Sequence, residues 1–129
     1  MPTARGSFEI TRTMHPPIDA GDGATFGAFR FEKQFTGGLV ATSVVEMLSV
    51  GSPPSGSAAY VAVERIAGAV DGRAGSFCVH HTGVIDQGAQ SLSIRVVNGT
   101  GTGDLSGIRG SMTIQIVEGK HFYELEWEG

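Results

Sequence analysis

Glu64, His81 and Tyr60 are the residues whose types and spacing suit chemistry best. They fall in the stretch 59–83, AYVAVERIAGAVDGRAGSFCVHHTG, which reads as two strands folded back on each other. Asp71-Gly72 between them is the strongest short hairpin signal a sequence carries. With Val70 and Arg73 flanking that turn, residue 64 faces residue 79 and residue 62 faces residue 81. Cross-strand partners share a face, so Tyr60, Glu64, Ile66, Phe77, Val79 and His81 line one side of the sheet. A carboxylate, a phenol and an imidazole among apolar groups suit proton transfer or the holding of a polar atom on a small ligand. Burial without a partner raises a carboxylate's pKa, which would make Glu64 a general base near neutral pH. The alternative for Glu64 is a structural carboxylate bonded inside the fold, and for His81 a core histidine bonded to that carboxylate.

Strands must position these groups. Phe8, Ile10, Arg12 and Met14 alternate with polar residues in 5–14. Pro16-Pro17 ends that strand because neither proline can donate to a ladder, and 18–24 reads as a loop. In 25–36, Phe29, Phe31, Lys33 and Phe35 share a face. A third strand, 39–50, is rich in β-branched residues. If the Pro/Gly/Ser loop 51–57 is centred near residue 54, Glu46 pairs with about residue 62 and joins the Glu64 face. A slip of one residue would put it on the other face. On the Glu64 face it would be a second carboxylate able to share a proton with the first. Leu92, Ile94 and Val96 alternate in a sixth strand, and Met112, Ile114 and Ile116 in a seventh. His121, Tyr123 and Trp127 alternate in an eighth, and they complete a polar and aromatic lining if they face inward. No window carries a helical period. About eight consecutive strands with short turns predict an all-β, closed antiparallel barrel of meander order, whose closure removes sheet edges. Such an interior holds packed side chains or one small ligand.

Composition narrows the function classes. The chain has 129 residues, the length of a single domain spanning 1–129. Twenty glycines, about twice the usual share, accompany only five prolines, so they read as turns and strand bends. A net charge of −4 and the lack of a basic run argue against nucleic acid. No apolar stretch approaches a membrane span or a signal peptide. One cysteine, Cys78, excludes an internal disulfide and fits a reducing, cytoplasmic setting. No cofactor motif is present. Gly99, Gly101 and Gly103 superficially resemble a phosphate loop, but neither a following helix nor the Lys-Ser/Thr of a P-loop is there. A bend at a barrel corner is expected instead, with Asp104 and Arg109 paired. His81, His121, Glu46 and Glu64 lack metal-ligand spacing, so no metal is expected. Val61, Val63, Ala67 and Cys78 would face outward, an apolar strip suited to a homo-oligomer, a dimer first.

Several short segments carry a resemblance. They are Lys33-Gln34-Phe35-Thr36-Gly37, Glu46-Met47-Leu48, Tyr60-Val61-Ala62-Val63-Glu64-Arg65, Gly72-Arg73-Ala74-Gly75-Ser76-Phe77, His81-Thr82-Gly83, the block 101–110 and His121-Phe122-Tyr123. Together they resemble a bacterial family of unknown function with an allene oxide cyclase-like barrel. The 101–110 block is also similar to a stretch of allene oxide cyclases and dirigent proteins. The resemblance implies an eight-stranded barrel, often oligomeric, with a ligand-sized lumen, and no established activity. Within it, the first expectation is a cofactor-independent cyclase or isomerase acting on a small hydrophobic molecule. Glu64 and His81 would move the proton, and Glu46, Tyr60, Phe77, His121, Tyr123 and Trp127 would line the ligand. The alternatives are a non-catalytic binding barrel and an oligomeric scaffold with a filled lumen.

Overall fold

The computed structural model describes residues 2–15, 19–21, 23–52 and 56–129, without the side chains of residues 19 and 20. Nine strands follow in chain order: β1 Thr3–Met14, β2 Asp19–Gly21, β3 Ala24–Gly37, β4 Leu39–Ser52, β5 Ser57–Val70, β6 Arg73–Asp86, β7 Ala89–Val96, β8 Arg109–Val117 and β9 Lys120–Glu128. Each of β3 to β9 pairs antiparallel with its neighbours in sequence, and β1 pairs with both β9 and β3. The result is the closed, eight-stranded antiparallel barrel that the alternation predicts. The short β2 is an addition along β3, where a plain loop is expected. Pro16 and Pro17, and the centre of the 51–57 loop, lie outside the described residues. No helix among the described residues is long and apolar enough to cross a membrane.

The β5–β6 hairpin forms in the predicted register, with Glu64 opposite Val79 and Ala62 opposite His81. Asp71 and Gly72 both take positive φ, 48° and 85°, as a turn matching the strand twist requires. Gln87-Gly88 and Glu118-Gly119 repeat the device at the next two hairpins. The β4–β5 register departs by one residue. Glu46 pairs with Val63, not with residue 62, so the whole face of β4 is reversed relative to expectation. Loop 51–57 has no residue that fixes a centre, whereas Asp-Gly does.

A row of inward residues runs across paired strands from Met14 through Phe29, Met47, Ala62, His81, Ile94, Met112 and Leu125. It re-enters β1 at Ala4, ten residues before it left. That offset is the stagger by which tilted strands close a barrel. It also divides the interior into two halves. At one end Phe35, Leu39, Ile66, Val70, Phe77, Leu125 and Trp127 pack into a closed core. Leu105 and Ile108 plug that end from the 97–108 connection, which is a loop with one 3-10 turn at Gly103–Leu105 and not a strand bend. Thr100 and Thr102 hydrogen-bond the backbone N–H groups of Cys78 and Ser76, giving the lower edge of β6 the partners that a strand would have supplied. The expected Asp104–Arg109 pair does not form among the described ion pairs.

The other end is open. Met14, Leu92 and Ile116 point into the barrel by strand parity, yet are 62%, 46% and 65% exposed. β7 and β8 pair at only two positions, Ile94–Met112 and Arg95–Ser111, and separate towards this mouth.

Candidate functional site

A layer of polar side chains lies between the two halves. Glu64, on β5, is 1% exposed. Ser43 on β4 and His81 on β6 are its diagonal neighbours across the two adjoining strand pairs, within reach of a polar side chain. Ser43 Oγ donates to Glu64 Oε2 at 2.6 Å. His81 Nε2 lies 2.8 Å from Glu64 Oε1. Lys33, one strand further on β3, reaches the same Oε1 with Nζ at 3.3 Å. Its ammonium also sits 4.7 Å from the centre of the Phe8 ring, a cation–π contact. All four residues are buried.

Both carboxylate oxygens of Glu64 are therefore occupied. Burial alone would push its carboxyl up, but the His81 hydrogen bond, the Lys33 charge and the Ser43 hydroxyl together hold it below the usual glutamate range. Such a group is a carboxylate whose lone pairs are already committed. It is not the raised-pKa base that burial without partners would have made. An ionised carboxylate only accepts, so the imidazole nitrogen facing it carries the hydrogen. His81 Nδ1 has no hydrogen-bond partner among the described residues. Among the described residues no fully enclosed polar side-chain atom is left unpartnered, so Nδ1 opens onto solvent-accessible space.

The remaining predicted residues separate into three groups. Tyr60 and His121 join Glu64 and His81 in the mouth half. Tyr60 is half-buried with its ring over Gly83, where an added Cβ would come within 2.1 Å of the ring, so only glycine fits beneath it. Burial pushes its phenol up. His121 stacks obliquely on Phe8, ring centres 5.1 Å apart. Phe77, Tyr123 and Trp127 face inward too, but belong to the closed core. Tyr123 is a clamp: its hydroxyl accepts from Leu39 N and donates to Thr36 O, each at 2.7 Å, across the β3–β4 turn. Burial raises its phenol, the Leu39 N–H opposes this and Asp71 adds to it. Trp127 Nε1 donates to Asp71 Oδ2 at 2.9 Å, tying the last strand to the β5–β6 turn. Glu46 is a correction. The one-residue shift turns it outward, where it is exposed and pairs with Arg30. The two-carboxylate arrangement does not form, and neither does a cluster of His81, His121, Glu46 and Glu64.

The sequence by itself does not single out Lys33 and Ser43 as site residues. The signal for Lys33 was available, because a lysine in phase with Phe29, Phe31 and Phe35 occupies a core position, as Glu64 does. Ser43 carried none, since its face depends on the β4 register.

A comparison with the curated proteins found no match. A crystal structure of a protein with unknown function from Shewanella oneidensis MR-1, of the DUF3224 family, superposes with a TM-score of 0.93 at 37% identity, covering 99% of this chain and 97% of that one. Residues 4–127 match the same family, described as proteins of unknown function, a range that reaches from β1 into β9 and includes all four residues of the polar layer. The chain belongs to the DUF3224 family.

Proposed function

We propose that this barrel binds a small apolar molecule in its open half, above the floor formed by Lys33, Ser43, Glu64 and His81. The observation that carries the reading is the exposure of inward-pointing apolar side chains at one end only, Met14, Leu92 and Ile116, over the buried polar layer of Lys33, Ser43, Glu64 and His81. Apolar groups facing a cavity mouth are what a ligand covers. The resemblance of the 101–110 block to a stretch of allene oxide cyclases and dirigent proteins carries the expectation of a ligand in the barrel. Glu64, held low and saturated, favours binding over base catalysis by that residue.

A second reading rests on the free Nδ1 of His81. With Nε2 fixed by Glu64, Nδ1 is a proton acceptor oriented by a buried carboxylate, the arrangement of a general base. A cofactor-independent isomerase would then use His81 as the base and Glu64 as its positioning partner.

Neighbouring residues on opposite faces test the site. Ala62→Leu adds bulk on the inner face between Met47 and His81, while Val61→Gln alters only the outer wall. A panel of small aromatic probes, followed by ligand-observed NMR, should lose binding in Ala62→Leu and keep it in Val61→Gln. Loss in Val61→Gln alone would place the site outside and overturn the proposal. The outer strip also supports a dimer, as part of this proposal. Phe26, Leu48, Val61, Val63 and Val84 are exposed on neighbouring strands, and Phe26, Leu48 and Val61 line a groove of about 430 Å³.

A further inference from the structure

We infer that the mouth accepts a flat aromatic molecule bearing one negative charge, an aryl carboxylate, with Arg12 holding the carboxylate and Phe29 and Phe31 holding the ring. This names the ligand class for the binding reading and rests on it. By strand parity, five acidic or basic side chains face into the mouth half: Arg12, Lys33, Glu64, His81 and His121. Only one is acidic, in a chain whose acidic residues outnumber its lysines and arginines by 13 to 9. Lys33 already matches Glu64 at 3.3 Å. Arg12 is left over. Among the described residues Arg12 has no carboxylate partner, as is also true of Arg65, Arg73, Arg95 and Arg109 outside the mouth. The Arg12 guanidinium instead lies 5.9 Å from the centre of the Phe29 ring.

With the histidines neutral, the mouth half carries two cations, Arg12 and Lys33, against one carboxylate, in a chain of net charge −4, and this complements an anion entering there. The wall beside Arg12 is aromatic. Phe31 is its cross-strand partner, and the Phe29 and Phe31 rings lie 6.4 Å apart and 24° from parallel. Tyr60, Met14 and Met47 share this face. A planar fork on an aromatic surface binds a carboxylate two hydrogen bonds at a time. A ring bearing that carboxylate then continues the stack inward, towards the polar layer.

Isothermal titration of the full chain with 2-naphthoate and with 2-naphthalenemethanol compares two ligands of one shape, differing in charge. The acid should bind about tenfold more tightly. Arg12→Gln should remove that advantage and leave the alcohol unchanged, while Arg12→Lys, which keeps the charge, should retain most of it. Acid and alcohol binding equally would overturn the inference and leave the binding reading standing. An acid preference that survives Arg12→Gln would overturn the role of Arg12. If neither ligand binds, both the inference and the reading beneath it fail.

Discussion

Replacing Glu64 by glutamine is the sharpest test of the polar layer. Glutamine keeps the shape. Its carbonyl can take the place of Oε1 towards His81 and Lys33, and its amide can donate to Ser43 Oγ. What is lost is the charge. Lys33, with its side chain 5% exposed, is left with no anion. Removing one partner of a buried ion pair costs about 3–5 kcal/mol, because the other charge is stranded. With a urea m-value of ~1–3 kcal/mol/M, the unfolding midpoint should fall by about 2 M. Lys33→Met should be costly as well, for the mirror reason. The double variant strands no charge, so it should be more stable than the two single losses predict, by a coupling of about 2–3 kcal/mol. Trp127, the single tryptophan, sits at the closed end and reports global unfolding by fluorescence without touching the substitutions. A Glu64→Gln loss below ~1 kcal/mol, or a double variant that simply sums the singles, would refute the argument that these two residues stabilise each other as a buried pair.

The same carboxyl fixes the acid limb of stability. Its folded pKa lies below the ordinary glutamate value, so its contribution is present above about pH 4.3 and is lost as pH falls from there through the lower folded value. Urea midpoints measured from pH 6 to pH 3 should drop in wild type, and this part of the drop should vanish in Glu64→Gln. Tyr123→Phe strands the Leu39 N–H and frees Thr36 O; we expect a loss of about 2 kcal/mol and faster exchange of the Leu39 amide. On the outer wall, Val61→Glu should convert a wild-type dimer to a folded monomer in sedimentation velocity. A wild-type protein already monomeric at high concentration would rule out that interface.

Most of the barrel is legible in the sequence. Period-two alternation over eight segments, a turn residue pair at each tight hairpin and the scarcity of helical spacing leave closed antiparallel pairing as the economical arrangement. The Asp71-Gly72 turn fixes one register, and with it the placement of Glu64, His81 and Tyr60 on one face, because a two-residue loop allows a single pairing. Tertiary structure decided what alternation cannot express. The 51–57 loop permits more than one pairing, so only the folded sheet sends Glu46 outward and Ser43 inward. Strand stagger, a property of closure, brings Lys33 to Glu64 from two strands away and separates Phe77, Tyr123 and Trp127 from the mouth although they share its face. That meeting also sets the chemistry. A buried glutamate reads as a base when considered alone, and as a committed carboxylate once a lysine, a serine and a histidine are seen to occupy its oxygens.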